Sequence, residues 1–232
     1  MAIKRHGTAL LVFSLSAKKE ASRKHVFGKR NSDANTVFFH KIIAQTRALV
    51  AQSDIDVIWV DEHKQRGHNF ATRYANAFQD LFNAGYDQVL SIGNDCPGIT
   101  VGILGHAKTL LETQKIVAGP AADGGVYVFG LHKSNFDQEA FKKLPWQKAT
   151  LYKTIVQEAA AAQIELSQLD VLIDLDSDRE VRTYAKQHRT TSLGILLLNI
   201  LNTLKVSIAQ RIERYVSLNS SLTLALRGPP IC

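Results

Sequence analysis

The stretch Gln88-Val-Leu-Ser-Ile-Gly-Asn-Asp-Cys-Pro-Gly98 constrains the fold more than any other part of the chain. An apolar run carrying Val89, Leu90 and Ile92 stops abruptly at Gly93, Asn94 and Asp95, and Pro97 and Gly98 follow. This reads as a buried strand whose last residues deliver a carboxylate to the rim of a sheet. In open α/β sheets, ligands bind in the crevice beyond the carboxyl ends of the strands. Asp95, held there between Gly and Pro, is placed to hold a divalent metal ion on a phosphate. It is equally placed to cap the following helix or shape the turn.

The other apolar runs supply the rest of a sheet. Thr8 to Ser16 is continuous, as a central parallel strand requires, and Ile55 to Val60 is a second strand. Lys115 to Ala118 runs into Gly119-Pro-Ala-Ala-Asp-Gly-Gly125 and then into Val126 to Leu131. The loop between them is either a turn needing positive φ at glycine or a place of close backbone approach to a ligand. Val171 to Asp176 reads as the last strand, with Asp174 and Asp176 on one face.

Helical spacing fills the intervals. One helix starts at Asp33 or Asn35 and carries Val37, Phe38, Ile42, Ile43, Thr46 and Leu49. Asn69 can cap another that carries Phe70, Tyr74, Ala77, Phe78, Leu81 and Phe82. Further helices span Thr100 to Leu111, Phe136 to Leu144 and Tyr152 to Gln163, with a turn at Pro145-Trp146. Ser177 and Glu180 stand at capping-box spacing before the next. The pattern predicts an α/β domain with a mostly parallel central sheet.

At 232 residues and 45% apolar content, the chain suits one such domain with an appendage. The appendage is a long helix from Ser192 with Leu193, Leu196, Leu197, Ile200, Leu201, Leu204, Ile208, Ile212 and Tyr215 along one stripe. So broad an apolar surface covers the core or packs on a second subunit, which makes a homodimer through this helix the expectation. Leu193 to Ile208 is too short to span a membrane and is interrupted by Asn199, Asn202 and Lys205. Met1-Ala-Ile-Lys-Arg-His leads directly into the first strand with no visible secretory signal. Two cysteines, Cys96 and Cys232, make no disulfide scaffold, so a cytoplasmic location is expected.

The net charge of +7 is concentrated near the start, where Lys4, Arg5, Lys18, Lys19, Arg23, Lys24, Lys29 and Arg30 face the single acid Glu20. Such a cluster attracts nucleotide phosphates or is simply a solvated basic surface. No zinc-finger spacing and no aromatic RNA-binding strand accompany it, so no nucleic-acid partner is expected. The segment Ala17 to Arg30 reads as a polar loop at the carboxyl edge of the first strand, without the glycines of a P-loop or a dinucleotide fingerprint. His63 and His68 read as exposed loop histidines rather than metal ligands. Gly-x-Ser-x-Gly, Cys-x-x-Cys and His-Glu-x-x-His are absent, which argues against hydrolase triads and zinc. What remains is a set of acids, Asp95, Asp123, Asp174 and Asp176, at strand ends near basic residues. Carboxylates holding Mg²⁺ or Mn²⁺ beside Lys or Arg are what a nucleoside diphosphate or triphosphate site requires.

Three stretches carry a resemblance. Gln65-Arg-Gly-His-Asn-Phe-Ala-Thr-Arg73, Ile92-Gly-Asn-Asp-Cys-Pro97 and Gly119-Pro-Ala-Ala-Asp-Gly-Gly-Val-Tyr127 resemble the arsenosugar-biosynthesis-type glycosyltransferase-like family, over roughly Thr8 to Glu180. The resemblance implies a three-layer, Rossmann-like GT-A fold of the nucleotide-diphospho-sugar transferases, with helices on both faces of the sheet. The division expected from the chain's own pattern is this domain at residues 1–190 and a C-terminal helical extension at 191–232. Asp95 matches the family's metal or nucleotide ligand, with Asp174 and Asp176 as further metal ligands. Asp123, Gly124 and Gly125 match the family's acceptor-side or sugar-side loop, in which Asp123 would orient the acceptor or act as general base. Arg23, Lys24, Gly67, Arg73, Asn94, Gly124 and Gly125 are expected on the nucleotide and its phosphates, and Phe70 matches the helix start beside them.

One stretch departs from the family. Its usual Gly-x-x-Lys-Thr-Arg-Leu after the first strand is here Ser16-Ala-Lys-Lys-Glu-Ala-Ser-Arg-Lys-His25, without glycine. The implied activity is a Mg²⁺- or Mn²⁺-dependent transfer from a nucleotide sugar to a small-molecule acceptor. The alternatives are a nucleotidyltransferase that consumes a nucleoside triphosphate and releases pyrophosphate, and a non-catalytic nucleotide-binding protein.

Overall fold

Strand β1 (Thr8–Phe13) is buried from Thr8 to Val12 because it has a parallel neighbour on each side and helices above and below. The computed structural model describes residues 7–113 and 116–225, and for 208, 211 and 214–225 the backbone alone. Lys4, Arg5, Lys115 and Cys232 lie outside the described residues, as do the side chains of Ile208 and Tyr215.

After β1 come α1 (Ala17–Arg23), α2 (Ser32–Val50), β2 (Asp56–Val60), α3 (Phe70–Asn83), β3 (Gln88–Ile92) and α4 (Val101–Thr113). Then follow β4 (Ile116–Pro120), β5 (Val126–His132), a 3₁₀ turn, α5 (Gln138–Lys143), α6 (Leu151–Ala161) and β6 (Leu166–Gln168). The six strands form one sheet in the order β2-β1-β3-β5-β4-β6. The β1–β2, β1–β3 and β4–β6 pairs are parallel, whereas β5 runs antiparallel to both its neighbours. The carboxyl ends of β1, β2 and β3 therefore share one edge.

Alternation along the strands builds two cores. Ala9, Leu11 and Val89 pack with Tyr74 and Phe78 of α3, Phe141 of α5 and Ile155 of α6. Leu10, Val12, Leu90 and Ile92 pack on the opposite face with Leu104 and Leu111 of α4 and Val50 of α2. Helices on both faces of a mostly parallel sheet are the expected α/β architecture, and here they arise from period-2 strands sorting side chains to opposite sides.

Several local expectations are corrected. The segment from Ala17 is not a loop: its first residues form α1, which buries Ala17, Glu20 and Ala21 and turns its lysines outward. Helix α2 starts at Ser32, and Asn35 lies inside it, fully buried. Its Oδ1 accepts from Phe27 N at 3.0 Å, and its Nδ2 donates to Gly28 O at 3.1 Å and Asn31 O at 3.0 Å. The residue is a latch on the α1–α2 loop, not a cap. The segment from Val171 to Asp176 is not a strand. It is an extended segment touching the sheet through one parallel bridge, Leu172 to Ala121, while β6 lies earlier.

The chain parts into two compact units between Glu180 and Val181. Ser177 and Glu180 make the expected reciprocal box at the start of α7 (Asp178–Gln187): Ser177 N donates to Glu180 Oε2 at 2.7 Å, and Glu180 N to Ser177 Oγ at 3.5 Å. In the second unit, α8 (Ser192–Ala225) buries Leu193, Leu197 and Leu201, each four residues from the last. Ile195, Val206 and Ile212 are exposed; of these, Ile212 belongs to the apolar stripe and Ile195 and Val206 do not. No helix among the described residues is long and apolar enough to cross a membrane.

Candidate functional site

Beyond the carboxyl ends of β1 and β3, the chain stitches its strand ends together with polar side chains. Asn94 is buried and donates its amide to Ser14 Oγ at 2.6 Å, joining the two ends. Gln65 donates to Ser14 O at 3.3 Å and Val60 O at 3.2 Å, and so holds the loop after β2 against the same edge. Across this edge runs the extended segment from Leu169. Leu172 N donates to Pro120 O at 3.1 Å, Ala122 N to Leu172 O at 2.8 Å, and Leu175 N to Asp95 O at 2.8 Å. Leu175 is fully buried, which pins the acids on either side of it, Asp174 and Asp176, beside Asp95.

Lys24, the residue that closes α1, reaches into this group. Its Nζ lies 2.7 Å from Asp95 Oδ2 and 2.7 Å from Asp176 Oδ1. Asp174 Oδ1 is buried and has no hydrogen-bond partner. Burial pulls the Lys24 pKa down, but Asp95 and Asp176 outweigh it and hold the ammonium well above its usual range. Burial works against the Asp95 carboxylate, yet Lys24 wins and keeps it below the ordinary range. Asp176 is raised, by burial first and by Asp95 next. Asp174 is pushed up to about 8 by burial and by Asp95 and Asp176. Cys96, whose Sγ faces Ile173 O at 3.7 Å, is raised by burial and by Asp174, so it is a structural thiol and no thiolate nucleophile.

These acids form one end of a cleft of about 480 Å³. Phe13, Phe70, Tyr74 and Trp146 give it an aromatic wall, and Arg23, Arg73 and Lys148 bring further cations. Asn69 Oδ1 accepts from Thr72 N at 2.8 Å, a cap that starts α3 where Phe70, Arg73 and Tyr74 fall in its first turns and face the cleft. Tyr74 packs against Phe13 and Trp146, each at 4.9 Å between ring centroids. Glu20, on the buried face of α1, accepts from Leu15 N at 3.3 Å and is raised by its burial.

The cleft unites Arg23, Lys24, Arg73, Asn94, Asp95, Asp123, Gly125, Asp174 and Asp176 of the residues expected from sequence. Asp123 is exposed, and its Oδ1 accepts from Gly125 N at 2.8 Å, which sets the turn of its loop. Gly67 and Gly124 do not line the cleft; they hold loops in place. A Cβ on Gly124, at φ 91°, would stand 2.0 Å from Ala149 O. A Cβ on Gly67, at φ 138°, would stand 2.8 Å from Thr72 Cγ2. The Gly124 contact seats the loop that sequence reasoning missed: Trp146, Gln147, Lys148 and Ala149 all line the cleft. Gln147 holds φ 64°, a left-handed conformation uncommon for a residue with a side chain. The Pro145-Trp146 pair signalled a turn and nothing in the sequence said where it points.

Asp95, Asp174 and Asp176 offer oxygen donors of the kind a hard divalent cation takes, and Asp174 Oδ1 is orphaned. Among the described residues, however, no three His, Cys, Asp or Glu side chains gather closely enough to enclose an ion. The Lys24 ammonium stands between Asp95 and Asp176 and supplies the positive charge there. His63 and His68 are both exposed, and neither lines the cleft.

Residues 32–148 match the model of a family described as uncharacterized protein conserved in bacteria (DUF2064). No curated protein matches the chain significantly. Among solved structures, a protein of Desulfovibrio desulfuricans G20, provisionally described as a nucleotide-diphospho-sugar transferase, aligns at TM-score 0.70 with 24% identity, covering 83% of this chain and 94% of its own. Rv0371c of Mycobacterium tuberculosis H37Rv in complex with manganese aligns at TM-score 0.42 with 14% identity, over 76% of this chain and 97% of its own. A CMP-2-keto-3-deoxy-manno-octonic acid synthetase with CTP aligns at TM-score 0.42 with 11% identity, over 78% and 98%. The last two are distant, and the likeness of fold rests on the first: the chain shares the α/β fold of the Desulfovibrio desulfuricans protein.

Proposed function

We propose, for a chain that belongs to the DUF2064 family of proteins conserved in bacteria, a metal-dependent transferase that acts on a nucleotide-activated substrate, in first place a glycosyltransferase using a nucleotide sugar. The observation that carries this reading is the meeting of Asp95, Asp174 and Asp176, from two distant segments, with Lys24 at one end of a cleft with an aromatic wall. A diphosphate needs cations and the aromatic wall offers a surface for a base or a sugar ring. The resemblance of three stretches to the arsenosugar-biosynthesis type favours the same choice.

In this reading Asp95, with Asp174 and Asp176, holds the divalent ion. Mg²⁺ or Mn²⁺ bound there neutralises the diphosphate and the leaving nucleotide. Arg23, Lys24 and Arg73 contact phosphate. Asp123, exposed within the cleft, orients the acceptor hydroxyl or takes its proton.

The reach of Lys24 from the segment after β1 to the acids also favours a second reading, a nucleotidyltransferase, because a triphosphate needs a cation beside its metal. Product analysis separates the two. With Mn²⁺ and a panel of nucleotide sugars, the first reading predicts release of a nucleoside diphosphate. Pyrophosphate released from a nucleoside triphosphate and a sugar phosphate selects the second. Turnover with neither class of donor selects the non-catalytic nucleotide-binding reading.

A further inference from the structure

Lys24 takes the place that a metal ion takes in an acidic site. It is anchored by its backbone: Lys24 N donates to Glu20 O at 2.8 Å, and the loop that follows is clasped by buried Asn35. Its side chain is a four-carbon stem that can swing about that anchor. At present it lies between two carboxylates drawn from β3's end and from the segment after β6, at 2.7 Å from each. Two of the three donors of the ammonium go to Asp95 and Asp176, and Asp174 Oδ1 remains buried and unpaired.

A divalent cation needs the same lone pairs on Asp95 and Asp176, and its charge repels an ammonium left among them. The two cations exclude each other. We infer that Lys24 is a resident counter-ion that competes with the divalent cation for Asp95 and Asp176, so that metal binds as Lys24 swings away into the cleft, where a phosphate is its natural partner. The inference rests on the metal-dependent reading above and adds to it an order: the carboxylates are never left uncompensated, and metal affinity is low until a phosphate draws Lys24 off. By linkage, whatever holds Lys24 away raises metal affinity, and the metal in turn frees Lys24 for its phosphate.

The test uses Mn²⁺ alone, titrated without nucleotide and followed by the loss of free-ion electron paramagnetic resonance signal. Lys24→Met, which keeps the stem and removes the charge, is expected to bind Mn²⁺ about tenfold tighter than the wild type or more. Lys24→Arg keeps the competing charge and is expected to stay near wild type. A Lys24→Met affinity equal to or weaker than wild type overturns the inference while leaving the metal-dependent reading intact. Absence of Mn²⁺ binding in both proteins overturns both. A second measurement needs no variant: acetylation of Lys24 in the wild type, read by mass spectrometry, is expected to be slow without metal and to accelerate on adding Mn²⁺. An unchanged rate at saturating Mn²⁺ contradicts the displacement.

Discussion

The backbone amide of Leu175 donates to the carbonyl oxygen of Asp95 at 2.8 Å. That bond, between residues far apart in sequence, decides that Asp174 and Asp176 stand beside Asp95 rather than elsewhere on the sheet edge. Leu175 itself is fully buried, so its side chain holds the same junction from below. Truncation to alanine is expected to cost about 2–5 kcal/mol, in the range for a buried leucine that leaves a cavity. Chemical denaturation measures the loss, and Mn²⁺ affinity should fall with it. An unchanged affinity in a folded Leu175→Ala protein would mean that the acids do not depend on this junction.

Gly124 carries a second prediction. Its positive φ and the 2.0 Å approach of Ala149 O to a would-be Cβ leave no room for alanine. Gly124→Ala is expected to destabilise by roughly 1–3 kcal/mol through strain and displaced backbone. Thermal melting compared with Gly105→Ala, where a Cβ meets nothing within 4 Å, separates this from a general glycine effect.

Asn35→Ala should act on the α1–α2 loop. The variant leaves Phe27 N without its side-chain partner and removes the two bonds to Gly28 O and Asn31 O. The expected loss is about 1–3 kcal/mol. Hydrogen exchange of the Phe27 amide should accelerate more than exchange in the sheet.

Glu20 gives a pH dependence with a definite sign. Burial raises its pKa above the ordinary carboxylate value. The folded state therefore holds a proton that the unfolded chain releases. This contribution to stability is complete below the ordinary carboxylate pKa and is lost as pH rises through the raised one. Glu20→Gln stays neutral and can still accept from Leu15 N. Its melting temperature should gain on the wild type as pH is raised from the ordinary carboxylate range, whereas a constant offset across that window contradicts the assignment.

Much of this was legible in the sequence, and the exceptions have physical causes. The apolar run before Asp95, the Asn69 cap and the Ser177–Glu180 box are local signals, and the structure places each as its residues dictate. The segment from Val171 to Asp176 alternates like a strand, but it meets the sheet at one bridge: its amides bond Pro120 O at the very end of β4 and Asp95 O in the loop after β3. Helix α1 was hidden by its lysines, since a short basic segment shows no apolar period until Glu20 and Ala21 are seen buried. The Trp146–Ala149 wall depends on the fit of Gly124 against Ala149, a contact between loops with no trace in either one alone. Lys24 was one basic residue among many; its distances to Asp95 and Asp176 distinguish it.

The central claim is that Asp95 and its neighbours bind a nucleotide through a divalent cation. Thermal melting of the wild type and Asp95→Asn with a panel of nucleotides and nucleotide sugars, with Mn²⁺ and with chelator, tests it most directly, because a ligand bound to the folded state raises the melting temperature by mass action. The account predicts a rise with a nucleotide-linked ligand that disappears with chelator and is absent in a folded Asp95→Asn protein. A rise of equal size in Asp95→Asn, or no rise with any nucleotide in the wild type, would contradict it.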